Sequence, residues 1–317
     1  MRALVSIWLT ALALVLATGP ATAVPSLGPA GAQLPVPNNY FAGTFNQLAD
    51  PDGDPPGTND WSCKPSARHP NPVVLVHGGF ANRQLDWGVY GPVLHNAGYC
   101  TFALNWGVQA GVPKPFSGIA GLSSIEAVGV PELSAFVRKV LATTHASKVD
   151  LVSHSLGSLV TGYFIRYGGG HTVVDKSVSI AGIYQGVAIP QEVIDASPLT
   201  RGGNCALCRE PAAGSAFIKK LNAGGTPYVP GVEYTNIATR YDEMAVPYTS
   251  GLVPGKPGQQ VTNIVVQDSC AQDYSEHQAI AGSHRTTVMV RNALDPEHPQ
   301  RVPCELVLPS VGSTPGR

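Results

Sequence analysis

Ser155 stands at the centre of Ser153-His154-Ser155-Leu156-Gly157, between an apolar run ending at Val152 and the stretch Ser158-Leu159-Val160-Thr161-Gly162-Tyr163-Phe164-Ile165. This reads as strand, very tight turn, helix, with a hydroxyl at the apex. The G-x-S-x-G nucleophile elbow has this form: a strained turn exposes one serine and leaves a backbone N–H beside it. Small residues flank the serine two positions away because strand and helix backbones nearly touch there. Here those residues are Ser153 and Gly157. A serine hydroxyl is a poor nucleophile until a base takes its proton, and the base needs an acid to fix its tautomer. Around an elbow of this kind the partners follow in the order Ser, then Asp or Glu, then His.

Downstream carboxylates near strand ends are Asp242, Glu243 and Asp268, and the downstream histidines are His171, His277, His284 and His298. Asp242 is taken as the acid, a few residues past one strand and one strand ahead of the histidine, with Asp268 as the alternative. His277, in a loop between the last strand and last helix, is taken as the base. His284 is the alternative, though it reads as a helix start. His154 reads as packing beside the elbow, and His171 and His298 as turn residues. A developing oxyanion needs two N–H donors aimed at one point. One is assigned to Leu156, the other to Gly79 in the turn His77-Gly78-Gly79-Phe80, with Phe80 as the alternative. His77 precedes Ser155 and reads as a loop-holding histidine rather than the base.

These residues need a scaffold of strands that end together. Pro72 to Val76 is a continuous apolar run closed by glycines, as expected of a strand buried on both faces. A helix is expected over 83–96, ended by Gly98, and a strand over 99–105. Leu133, Phe136, Val137, Val140 and Leu141 keep amphipathic helical spacing. Further strands are expected before Ser155 and over 176–181, 231–237 and 260–266, with a last helix over 284–294. The alternation predicts an α/β fold, a doubly wound, mostly parallel sheet flanked by helices, with ligands beyond the carboxyl ends of its strands. Residues 184–230 interrupt it and are read as a small cap insertion with a short helix around Ser215 to Leu221. Its Ile183, Val187, Ile189, Val193 and Ile194 suit acyl chains or ordinary packing.

The chain has 317 residues, 44% of them hydrophobic, enough for one large domain over 61–317. Residues 1–23 carry one basic residue, an apolar run and Ala21-Thr22-Ala23, the parts of a secretory signal peptide; a membrane anchor is the other reading. No other stretch is apolar and long enough to span. Residues 24–60, rich in Pro, Gly, Asn and Asp, read as an irregular arm. Six cysteines in an exported chain favour disulfides. Order along the chain suggests Cys63–Cys100, Cys205–Cys208 and Cys270–Cys304 among about 15 pairings. Cys205-x-x-Cys208 could also be half a zinc site or a redox motif, but no second pair or nearby histidine supports this. With net charge −1, 13% charged residues and no basic cluster, the chain lacks the footprint of a nucleic-acid binder.

Together these elements resemble the secreted α/β-hydrolase lipases, the class 2 bacterial lipases and the group containing Candida antarctica lipase B. The resemblance runs from about Trp61 to Cys304. It is strongest over Val73 to Gly79, Ser153 to Val160, Ser215 through Asn222-Ala223-Gly224-Gly225 to Glu243, and Val261 to Leu294. It implies an α/β-hydrolase fold with Ser155, Asp242 and His277 as nucleophile, acid and base, and Gly79 and Leu156 as oxyanion donors. It also implies the bridges Cys63–Cys100 and Cys270–Cys304. That lipase has a side-chain hydroxyl where Gly79 stands and Gln where Leu156 stands, so only backbone donors remain here. The implied activity is hydrolysis of lipid esters, triacylglycerols foremost, by a secreted monomer at a lipid–water interface, without metal or other cofactor. A short-chain esterase or polyester hydrolase with the same triad is the second expectation, and a non-catalytic binding module on the same fold the third.

Overall fold

The computed structural model describes residues 33–188 and 206–313. The expected signal peptide, the Cys205–Cys208 pairing and the cap residues Ile189, Val193 and Ile194 lie outside them. Six strands form one sheet: β1 (Val73–Val76), β2 (Thr101–Leu104), β3 (Val149–His154), β4 (Val174–Ile180), β5 (Glu233–Ala238) and β6 (Gln260–Val265). Their order is β2-β1-β3-β4-β5-β6, and every pairing is parallel. The helices that concern the site are α1 (Thr44–Ala49), α2 (Arg83–Asp86), α3 (Tyr90–Asn96), α4 (Val130–Thr144), α5 (Gly157–Tyr167), α6 (Ala216–Leu221) and α7 (His284–Leu294).

Successive side chains of a strand point to opposite faces, and β1 shows this within four residues. Val74 and Val76 join Phe102, Leu104, Leu151 and the apolar stripes of α4 and α5 in one core. Val73 and Leu75 join Ala103, Val152, Ile180, Tyr90, Leu94, Met289 and Val290 in the other. With a packed layer on each face, β1 has no wet side, so all four of its residues are apolar and buried.

The structure departs from the sequence expectation in two places. The helix expected over 83–96 is two helices, interrupted at Trp87-Gly88-Val89. Inside a continuous helix the ring of Pro92 would meet the carbonyl of residue 88. Restarting at Tyr90 puts the proline in a first turn instead. Within the expected arm, residues 33–60 belong to the compact unit that runs on from Gln33 and carry two short helical elements that the sequence reading did not place. Asn39 caps a 3-10 turn, Tyr40–Gly43, which leads into α1. Elements of one or two turns are too short to display helical periodicity, so nothing in their pattern announces them.

Two disulfides close loops, Cys63–Cys100 with Cα atoms 5.7 Å apart and Cys270–Cys304 at 5.2 Å. Among the described residues no helix is long and apolar enough to cross a membrane.

Candidate active site

β3 runs out at His154, and Ser155 turns the chain at φ +51°, a left-handed conformation that costs a non-glycine residue on the order of 1 kcal/mol. Its N–H is held by the carbonyl of Ile180 at 2.9 Å, and its own carbonyl accepts from Ser158 at 2.9 Å. Gly157 then passes against β1, where a Cβ would stand 2.3 Å from the Val76 carbonyl oxygen. Ser153 is fully buried and reaches the Val178 carbonyl at 3.4 Å, so the sheet accommodates its hydroxyl.

The loop after β6 brings His277 over this turn. Its Nε2 is 2.8 Å from the Ser155 hydroxyl oxygen, and its Nδ1 is 2.8 and 2.9 Å from the two carboxylate oxygens of Asp242. Asp242 follows β5, and its Oδ1 also accepts from the backbone N–H groups of Ala245 at 2.6 Å and Met244 at 3.0 Å. Burial pushes its carboxyl up, but the His277 bond and charge with these two amides outweigh burial and hold it below the usual carboxylate range. Glu243 does not reach the ring; it accepts the backbone N–H of His277 at 3.2 Å. The two loops are tied by Thr239, whose hydroxyl donates to the Ser275 carbonyl at 2.6 Å. Beneath them Asp273 takes the N–H and hydroxyl of Ser275 and pairs at 3.1 Å with Arg285, a fully buried α7 residue that also donates to Val266 and Ser269.

The alternative residues fall elsewhere. Asp268 is exposed and bonds Arg240. His284 starts α7 and lies 3.3 Å from Glu305. His77 is buried in its turn, donating from Nδ1 to the Gly78 carbonyl at 2.8 Å and accepting the Trp106 N–H at 3.1 Å. Burial pushes its imidazole down to about 4, so it stays neutral and holds the turn. Gly79 lies directly across from Leu156: a Cβ built on it would sit 3.2 Å from Leu156 Cδ2. Among the described residues the N–H groups of Gly79, Phe80 and Leu156 donate to no protein acceptor. The carbonyl of Phe80 is held by the Gln47 amide at 3.1 Å. No group of three or more His, Cys, Asp or Glu among the described residues is arranged to hold a metal.

Asp86 is a residue the sequence pattern did not single out. It is 1% exposed, and it receives the Tyr40 hydroxyl, the Gly78 N–H at 2.6 Å and the His154 ring at 3.2 Å. Gln47 was missed too, since it and Tyr40 lie in the segment that reads as an arm. Phe45, Phe80 and Phe116, in α1, the glycine turn and the short helix Phe116–Gly118, expose 74, 54 and 63% of their surface.

A parallel sheet wound on both faces, with a serine on a strained strand-to-helix turn and a histidine and carboxylate on later strand ends, defines an α/β-hydrolase. Residues 70–289 match the family described as Lipase (class 2), and the chain belongs to that family, one of carboxylic ester hydrolases. Its fold is similar to that of Aspergillus fumigatus lipase B, at TM-score 0.57 and 18% identity over 88% of this chain and 64% of that one. It thus spans less than two thirds of the Aspergillus chain. It is also similar to Bacillus licheniformis lipase BlEst2 in its mature form, at TM-score 0.51 and 14% identity over 73% of this chain and 94% of that one. At such identities the likeness concerns fold.

Proposed function

We propose that this chain is a secreted serine lipase or esterase that cleaves lipid esters, triacylglycerols foremost, through Ser155, His277 and Asp242. The observation that carries the reading is the unbroken hydrogen-bond line from the Ser155 hydroxyl through both nitrogens of His277 to Asp242, at 2.8 Å on each side of the ring. His277 takes the Ser155 proton as the serine oxygen attacks the ester carbonyl. The N–H groups of Gly79 and Leu156 receive the oxyanion. Collapse breaks the ester C–O bond, and the proton on Nε2 passes to the departing alkoxide, leaving an acyl-serine. Water, deprotonated by the same nitrogen, attacks the acyl carbon; the returning proton restores Ser155 and the fatty acid leaves. Asp242 keeps the Nδ1 proton in place throughout.

The lipid half of the reading draws support from family membership and from the exposed phenyl rings beside the glycine turn. Secretion draws support from the signal-peptide pattern of residues 1–23 and from two disulfides, which persist in oxidising compartments. We keep 184–230 as the cap insertion.

The test is a serine-directed organophosphate together with a chain-length series. Wild type should be labelled and Ser155→Ala should not. Hydrolysis of p-nitrophenyl esters should extend to long acyl chains and to emulsified triolein. Activity confined to the shortest esters would replace the lipase with an esterase, and an unlabelled wild type would remove the enzyme altogether.

A further inference from the structure

Behind the Ser155–His277 pair lies a second carboxylate–histidine pair, Asp86 and His154, which the chemistry above does not use. His154 immediately precedes the nucleophile and is 2% exposed. Its Nδ1 faces Asp86 Oδ2 at 3.2 Å and its Nε2 faces the backbone carbonyl of His277 at 3.1 Å. Both partners are pure acceptors, so both ring nitrogens must carry a proton to make both bonds. A neutral ring would turn a lone pair toward one of them. The same Asp86 oxygen that receives His154 also receives the Gly78 N–H, next to the proposed donor Gly79, while Oδ1 takes the Tyr40 hydroxyl.

We propose that Asp86 and His154 form a carboxylate–imidazolium pair, charged at pH 7, that positions the two halves of the active site against each other. Asp86 anchors the oxyanion turn through Gly78, and His154 props the base loop through the His277 carbonyl. Both are positioning residues; neither touches the reacting atoms. The proposal rests on Ser155 and His277 being the working pair.

The surroundings fit this charge state. The groups facing His154 are Asp86 from α2, Tyr40 from the N-terminal turn with its ring 5.7 Å away, and His277 with its ring at 5.0 Å. Beyond them stand His77 in the glycine turn and Asp242. Burial pushes the His154 imidazole down, yet the charge and bond of Asp86 and the His277 carbonyl outweigh burial and leave it above its ordinary value. For Asp86 burial raises the carboxyl, and the charge and hydrogen bond of His154 with the Tyr40 bond bring it below. A buried ion pair is rarely the cheapest way to fill a core. What this one adds is position: its bonds end on the backbone of the oxyanion turn and of the base loop.

The test uses the full chain. Ring nitrogen-15 shifts of His154, assigned by their loss in His154→Gln, should be those of an imidazolium at pH 7 and should turn neutral in Asp86→Asn. A neutral ring in the wild type at pH 7 overturns the proposal, and this measurement needs no variant to be active. With p-nitrophenyl butyrate, Asp86→Asn should lower kcat on the order of 100-fold, as expected of a small misplacement of catalytic groups, while KM shifts less than about threefold. Undiminished kcat in a folded Asp86→Asn also overturns it. If that variant does not fold, Tyr40→Phe removes only one of the carboxylate's bonds. Its kcat should fall about threefold to tenfold, tracking a loosened turn, and an unchanged kcat there counts against the proposal. Equal labelling of wild type and Ser155→Ala would instead refute the Ser155 reading and leave the ring measurement standing.

Discussion

Gly157 and Val76 touch backbone to backbone: a methyl group on the glycine would lie 2.3 Å from the Val76 carbonyl oxygen and 2.8 Å from that of His77. The start of α5 is thereby pressed onto the end of β1, which aims the Ser155 hydroxyl. No rotamer change can relieve a clash with two carbonyls. Gly157→Ala should destabilise the fold by about 3 kcal/mol, the upper range for overpacking, and abolish organophosphate labelling. Gly98→Ala is the comparison: its φ is +84° but its Cβ meets open space, so about 1–2 kcal/mol is expected. Denaturant unfolding of both variants checks the ranking.

Asp242→Asn should leave the fold in place and lower kcat roughly 10⁴-fold, the scale known for a triad whose acid no longer fixes the base's tautomer. The cause is local: Nδ1 of His277 faces both Asp242 oxygens, and an amide presents a donor to one of those positions. Steady-state hydrolysis of a p-nitrophenyl ester, with circular dichroism as the folding control, measures it.

Leu156 separates backbone from side chain. Its side chain is buried at 5% exposure within one of the two cores, whereas its N–H is the proposed donor. Leu156→Ala should therefore cost about 2–3 kcal/mol of stability through the cavity it leaves. The same variant should keep kcat within about threefold, because the amide survives. A large kcat loss at full folding would show that the leucine side chain shapes the oxyanion site.

The buried His77 makes the fold acid-sensitive. Its folded value of about 4 lies below its ordinary 6.5, so the unfolded chain takes up the proton first. The stability it secures is complete above about pH 6.5 and is lost as pH falls toward 4, about 3 kcal/mol in all. His154 works in the opposite sense. Raised above its ordinary value, its contribution is complete below about pH 6.5 and is lost as pH rises through the folded value. The depressed Asp86 and Asp242 contribute above the ordinary carboxylate range near pH 4 and lose that below it. Buried Asp150, its carboxyl pushed up to about 7, acts in the opposite sense to His77 over the same window. The His77 part is therefore read from the difference between wild-type and His77→Gln unfolding free energies from about pH 7 to 4. A difference that stays constant would contradict the His77 assignment.

The strands were readable because burial on both faces leaves runs such as Val73 to Val76 with no polar residue to confuse the pattern. The turn at Ser155 was readable because it imposes small residues at fixed spacing, and Asp242 and His277 could be named as its proposed partners from the chain order expected around such a turn. Asp86, Tyr40 and Gln47 were not. Each acts on a backbone or side chain far along the chain, Tyr40 on Asp86 and Gln47 on Phe80, and no local period records such a contact. Arg285 shows the same blindness within a correctly placed helix. Its position marks it as a helix residue, while its burial and its bond to Asp273 depend on where the base loop packs.

The sheet order also governs how the chain must find its shape. β1 pairs with β3 so that Val73 stands beside Asp150, and the long stretch of chain between them has to be gathered before the central ladder closes. Such long-range parallel pairing is slow, in the range of milliseconds to seconds. Until it is done, Val73-Val74-Leu75-Val76 offers an uncharged, β-prone edge to any neighbouring chain. Recovery from denaturant should thus be limited by crowding among half-made molecules, with yield falling as protein concentration rises even where the finished enzyme is stable.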